Sequence, residues 1–333
     1  MAELNNRRDI NIEELEENLT RLVDFIAESE KSFVESVDTI VNEVLSDPKK
    51  RVIFISGPTS SGKTTFTMHL KSNLERRGRE AFFISLDDYY VLTGLKFDSC
   101  GRPDFERIES LDIERAADDI VRILKGESVC TPIFDFNIRQ RVERDPSEAI
   151  ELKGDSILVI EGLHGMSDTF AGLIDRDSYA KIFIMPYGNV YADKKIMDSN
   201  EIRMLRRIVR DANHRNAHAL ATIDYWPLIK KSEEKYYEEY LANADYHINS
   251  FLAYESLIIA PLAIKEIEKA LDKLRIKELA PSVFMSNSNT NKAFADLSEA
   301  LKTADSLLKK LNTIPVINQK FVPEESILNE FIS

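Results

Sequence analysis

Eight residues near position 60 have the types and spacing of a phosphate cradle. Gly57, Pro58, Thr59, Ser60, Ser61, Gly62, Lys63 and Thr64 satisfy the pattern G-x-x-x-x-G-K-[ST], and Thr65 continues it. Glycines let the backbone curl so that its N–H groups point inward at phosphate oxygens, and the helix start that follows adds partial positive charge. On this reading the segment binds ATP, Lys63 reaches the β- and γ-phosphates, and the Thr64 hydroxyl ligates Mg2+.

A phosphate loop does not by itself distinguish a kinase from other nucleotide hydrolases, so the acceptor side has to be read separately. Asp87-Asp88-Tyr89-Tyr90 follows a short apolar run. A carboxylate at the carboxyl end of a parallel strand sits where ligands bind in open α/β sheets, and Asp87 could there take the proton of an attacking hydroxyl. Glu161 ends another apolar run, the place for an acid that holds magnesium directly or through water. From Arg203 to Arg215, thirteen residues include five arginines. On a helix Arg203, Arg207 and Arg210 share one face, as do Arg206 and Arg210, so a lid over about 203–217 could bring guanidinium groups to a triphosphate and exclude water.

These groups need a frame, and the apolar pattern supplies one. Helical spacing in Ile12, Leu15, Leu19, Leu22 and Phe25, then in Val34, Val37, Ile40, Val41 and Val44, predicts two amphipathic helices. The β-branched run from Arg51 to Ser56 predicts a buried strand, Lys63 to about Arg77 a helix, and Ala81 to Leu86 a second strand. Strand, helix, strand is the grammar of a parallel sheet. Further strands are expected at 156–161, 180–185 and 246–250, with helices at 112–126, 202–216 and 220–244 and a polar functional loop at 93–110. The fold class is therefore α/β: a P-loop NTPase-type doubly wound parallel sheet with helices on both faces and a small antiparallel insertion near 129–153. Residues 1–49 and 261–333 read as helical extensions flanking a central phosphate-loop domain at 50–260. The apolar faces of the extensions must pack on that domain or on a second subunit, which makes a homo-oligomer one expectation.

Composition bounds the partners. Lys and Arg total 44 against 57 Asp and Glu, a net charge of -13, which argues against nucleic acid, because that binding needs a positive surface. Cys100 and Cys130 lack metal-ligand spacing and read as free thiols of a reducing compartment. The charged start of the chain has no apolar leader, and no later stretch approaches a membrane span, so the expected setting is cytoplasmic with no membrane partner. His214 and His218 lie four apart without a third ligand and read as surface residues.

The segments GPTSSGKTT, SLDDYY, PIFDF, ILVIEG and LRRIVRD stand in the order and approximate spacing of the uridine kinase and phosphoribulokinase family of P-loop kinases. The chain resembles that family over about residues 50–260, and most of all its bacterial uridine kinase-like nucleoside kinases. The resemblance implies an ATP- and magnesium-dependent transfer to a small-molecule hydroxyl, the 5′-hydroxyl of a nucleoside in the first place. By the same resemblance Asp87 is the base, Tyr90 lies near the acceptor sugar, and Phe105 with Glu106 or Asp104 holds the ribose hydroxyls. Glu161 belongs to the metal site, and Arg207, Arg210 and Arg215 contact phosphates. The chain departs from the pattern where a Tyr-Asp-Phe motif and a base-reading histidine are replaced by Phe134-Asp135-Phe136 and Arg139. Its lid ends as Asn213-His-Arg215-Asn-Ala217, with one of the family's two arginines there. Two alternatives stay open: a sugar or sugar-phosphate kinase, for which Arg139 and Arg141 would supply cations, and a non-catalytic ATP-binding regulatory module.

Overall fold

The computed structural model describes residues 7–136, 138 and 140–333. Five parallel strands form the central sheet: β2 (Val52–Ser56), β3 (Ala81–Ser85), β6 (Ile157–Glu161), β7 (Tyr179–Met185) and β10 (Tyr246–Asn249), in the spatial order β10-β7-β2-β6-β3. The strand that leads into the phosphate loop is thus the middle one. Side chains alternate across the sheet as a two-residue period demands. Ile53, Ile55, Ile157, Val159, Ile182 and Ile184 enter one core, while Val52, Phe54, Leu158, Ile160 and Phe183 enter the other. The apolar runs of β2 and β6, and Ile182 to Met185 in β7, follow from burial on both faces.

Helices cover both faces. α3 (Lys63–Arg76) packs on β2, β3 and β6, and α2 (Leu22–Ser46) lies against α3. α4 (Ile113–Leu124) supplies Ala116, Ile120 and Ile123 to the opposite core, and the short α5 (Asp168–Ala171) adds Phe170 and Ala171. The antiparallel insertion forms between 129 and 150, with strands β4 (Pro132–Asp135) and β5 (Gln140–Glu143) and a bridge from Val129 to Ile150. α6 (Ser199–His214), α7 (Ala219–Asn243) and α8 (Ser256–Arg275) pack on one another, and α9 (Leu297–Leu311) lies across α7 and α8.

The N-terminal extension is more than helical. Before α1 (Ile12–Asn18), the strand β1 (Arg8–Asn11) pairs in parallel with β8 (Gly188–Tyr191), which pairs antiparallel with β9 (Lys195–Met197). Such pieces of three or four residues carry too little periodicity to be seen in sequence. Both extensions pack on this chain: Phe25, Phe33, Val37, Ala304, Leu307 and Leu311 all join the main core, while Leu19, Val23 and Val34 stay exposed. Among the described residues no helix is long and apolar enough to cross a membrane.

Candidate active site

The phosphate loop is shaped from both sides. A Cβ on Gly57 would fall 2.1 Å from Ile184 O, so the loop's first residue has to be glycine. Ser60 (φ 57°) and Gly62 (φ 90°) take left-handed backbone, which turns the loop back toward α3. For Ser60 that conformation is unfavourable, and a buried polar clamp fixes the preceding residue. Thr59 N–H donates to Glu233 Oε1 at 2.6 Å, Arg203 Nε donates to Thr59 O at 2.9 Å, and Arg207 Nη1 donates to Thr59 Oγ1 at 2.8 Å. Arg203 and Glu233 themselves pair at 2.5 Å. Lys63 Nζ donates to Gly57 O and Pro58 O at 2.9 and 3.2 Å, and Thr64 is exposed toward the cleft.

Across the cleft, the turn Leu86–Tyr89 after β3 carries the acceptor-side acids. Asp87 faces the cleft. Asp88 instead accepts from Phe134 N–H at 3.0 Å and from Arg144 Nη2 at 3.1 Å, which ties the β4–β5 hairpin to the strand end. The hairpin is thereby set against Tyr90, whose ring lies 5.6 Å from Phe134, 6.2 Å from Phe136 and 6.5 Å from Phe105 between centroids. These four aromatic side chains wall one end of the cleft, with the Arg215 guanidinium 4.2 Å from the Phe136 centroid.

Of the two candidate acids beside Phe105, the structure brings only Glu106 to the cleft. It is buried, with Arg207 Nη1 at 3.6 Å from its carboxylate. Burial pushes its carboxyl up to about 7; Arg207 opposes this, and the negative charges of Glu233 and Asp87 add to it. Asp104 is turned away: it accepts from Ser232 Oγ at 2.8 Å and from Glu106 N–H at 3.2 Å, so it braces the loop.

The Arg-rich segment, read from sequence as a lid over about 203–217, begins as a helix whose packing sorts its arginines. α6 is packed into the core through Ile202, Leu205 and Ile208, and its arginines divide by face. Arg206 is wholly buried, pairs with Glu255 at 2.5 Å and donates to Ser250 O at 2.7 Å; together with Arg203 it is spent on structure. Arg207, Arg210 and Arg215 line the cleft and gather around buried Asp211 at 3.0, 3.4 and 3.8 Å. Against the effect of burial, these three cations hold the Asp211 carboxyl below its usual range. Burial, with the like charge of Arg210, brings Arg215 down to about 10. Arg139, one of the residues expected at the acceptor, lies outside the described residues.

Glu161 fits a magnesium site. Its Oε1 accepts from Ser85 Oγ at 2.9 Å, while its buried Oε2 has no hydrogen-bond partner. An unpartnered carboxylate oxygen on a residue that lines the cleft, with Thr64 lining the same cleft, is the kind of hard-oxygen pair that magnesium uses alongside water and phosphate. Burial, to which Asp87 adds, pushes the Glu161 carboxyl up to about 8. Among the described residues no group of three or more His, Cys, Asp and Glu could hold a metal by itself.

Several cleft residues escape a sequence reading. Val283 and Phe284, on the turn Val283–Met285 of the C-terminal extension, line it, and Phe284 stacks on Tyr225 at 4.7 Å and 17°. Glu330 lines it too. Glu233 acts on it through Thr59. None belongs to a motif, and each arrives from a distant part of the chain. His218, by contrast, is a helix cap, its Nδ1 accepting from Ala221 N–H at 3.1 Å, and Cys100 and Cys130 are free thiols.

A phosphate loop on the central strand of a β10-β7-β2-β6-β3 sheet, facing an acid across a cleft, defines a P-loop kinase that acts on a small molecule. The chain belongs to the phosphoribulokinase / uridine kinase family, whose model matches residues 52–254, well over half of the sequence. The family implies ATP as phosphoryl donor and usually magnesium. No curated protein matches the chain in sequence. Among solved structures it is similar to a possible uridine kinase from Bacillus stearothermophilus, with 18% identity over 64% of this chain and 97% of that one and a TM-score of 0.43. It is also similar to D-glycerate 3-kinase from Cryptococcus neoformans, with 19% identity over 38% of this chain and 52% of that one and a TM-score of 0.30.

Proposed function

We propose that the protein transfers the γ-phosphoryl group of ATP to the 5′-hydroxyl of a nucleoside, with Asp87 as the base. The observation that carries this reading is the shared cleft, which Lys63 and Thr64 of the phosphate loop, Asp87, and the aromatic group of Tyr90, Phe105, Phe134 and Phe136 all line. An aromatic wall suits the face of a flat ring, and Glu106 beside it suits sugar hydroxyls. Thr64 and Glu161 would hold magnesium, which would supply positive charge against the phosphates. Lys63, released from the Gly57 and Pro58 carbonyls, binds the phosphates. Asp87 takes the acceptor proton as the hydroxyl attacks in line, and Arg207, Arg210 and Arg215 stabilise the negative charge spread over the transferring group.

With hydrogen bonds to a uracil or cytosine edge not provided by Phe134, ring stacking carries more of the base recognition, and a broad base preference is expected. The sugar-phosphate alternative is less well supported, since Arg141 is spent on Asp112 at 2.7 Å. Asp87→Asn tests the mechanism: turnover is expected to fall by about 10² to 10⁴, the usual worth of a general base, while ATP binding persists. Unimpaired turnover in this variant would remove Asp87 from the role.

A further inference from the structure

The segment after α9 returns to the phosphate loop. Ile327, Leu328 and Phe331 are each 0% exposed, so this stretch is core even though it lies far outside the family domain. It touches the loop directly, since a Cβ on Gly62 would fall 2.3 Å from Ile327 Cδ1. Arg206 lies 5.0 Å from the Phe331 ring centroid, Asn213 Nδ2 donates to Phe331 O at 3.4 Å, and His69 Nε2 meets Glu325 O at 2.8 Å.

This anchoring delivers one charged side chain to the first turn of α3. Glu330 Oε2 accepts from Thr65 N–H at 3.1 Å and from Thr65 Oγ1 at 3.2 Å, inside the cleft that Lys63, Thr64 and Glu161 share. The first-turn amides of the helix after a phosphate loop are the donors that cradle phosphates. A carboxylate and a phosphate oxygen cannot hold the same N–H, and their charges repel. We propose that Glu330 is a residue of the nucleotide site that acts as a stand-in anion. It satisfies the Thr65 donors while the site is empty and surrenders them to ATP, so that a residue outside the family domain sets nucleotide affinity. The proposal rests on the reading of this loop as an ATP site. The exchange needs only a side-chain rotation, because Ile327, Leu328 and Phe331 keep the backbone in place.

The competing role, in which Glu330 braces Thr65 for phosphate binding, has the opposite sign. Calorimetric titration of ATP with magnesium, without acceptor, into the wild-type chain, Glu330→Gln and Glu330→Ala separates the two. Glu330→Ala is expected to bind ATP about tenfold more tightly, the worth of one charge-assisted hydrogen bond no longer displaced. Glu330→Gln, isosteric but uncharged, is expected between alanine and wild type. Unchanged or weaker binding in both variants, with wild-type binding intact, overturns the proposal and leaves the kinase reading standing. Failure of all three proteins to bind ATP overturns both.

Discussion

The acids of the cleft are separated by what surrounds them. Asp88 is consumed by the Phe134 amide and Arg144, Asp104 by Ser232, and Asp211 by three arginines, which leaves Asp87, Glu106, Glu161 and Glu330 lining the cleft. Glu106 makes the separation measurable. Its carboxyl rises on folding from 4.5 to about 7, so the folded state favours its protonated form. The resulting stability is fully present below pH 4.5 and is lost as pH rises through about 7. Thermal denaturation between pH 5 and 8 is expected to show wild type losing ground to Glu106→Gln as pH rises, and parallel profiles would deny the shift. Gly62→Ala probes the loop itself: φ of 90° and the Ile327 contact leave no room for a methyl group, so ATP binding and melting temperature should both fall. Normal ATP affinity in this variant would mean that the loop tolerates a different shape.

Elements explain why some of this was legible in sequence and some was not. The buried strands announce themselves through β-branched runs, and the phosphate loop through glycines and Lys63, because a single local stretch fixes each. Asp87 and Glu161 are readable for the same reason, each standing at the end of such a run. Glu233, Phe284 and Glu330 act from elements distant in the chain, and nothing in SVFMS or LNEFIS marks either residue as facing a cleft. The Arg-rich helix was legible in composition and not in direction: which guanidinium turns to the core depends on Glu233 and Glu255 waiting there. At this scale the extension's turn Val283–Met285 becomes testable. Phe284→Ala removes a stacked wall of the acceptor end, and KM for the acceptor is expected to rise about tenfold while ATP affinity changes little, on the scale of one aromatic pair plus its buried area. Equal losses for both substrates would assign Phe284 to packing alone.

The molecule as a whole is a kinase domain built into its extensions. Phe33 on α2 meets Phe66 at 6.1 Å and His69 at 5.8 Å, and both partners stand on the helix that begins at the phosphate loop. Phe33→Ala is expected to cost about 3–5 kcal/mol and to lower a single melting transition; an unchanged main transition would mean that the extension folds apart from the domain. The central claim, phosphoryl transfer to a nucleoside, is tested most directly by following the γ-phosphate of ATP, with magnesium, across a panel of nucleosides, pentoses and sugar phosphates, with Asp87→Asn in parallel. Label appearing on the 5′-hydroxyl of one or more nucleosides, and appearing about 10² to 10⁴ times more slowly in the Asp87→Asn reaction, is the expected result. Label found only on a sugar or sugar phosphate, or on nothing while ATP still binds, would contradict it.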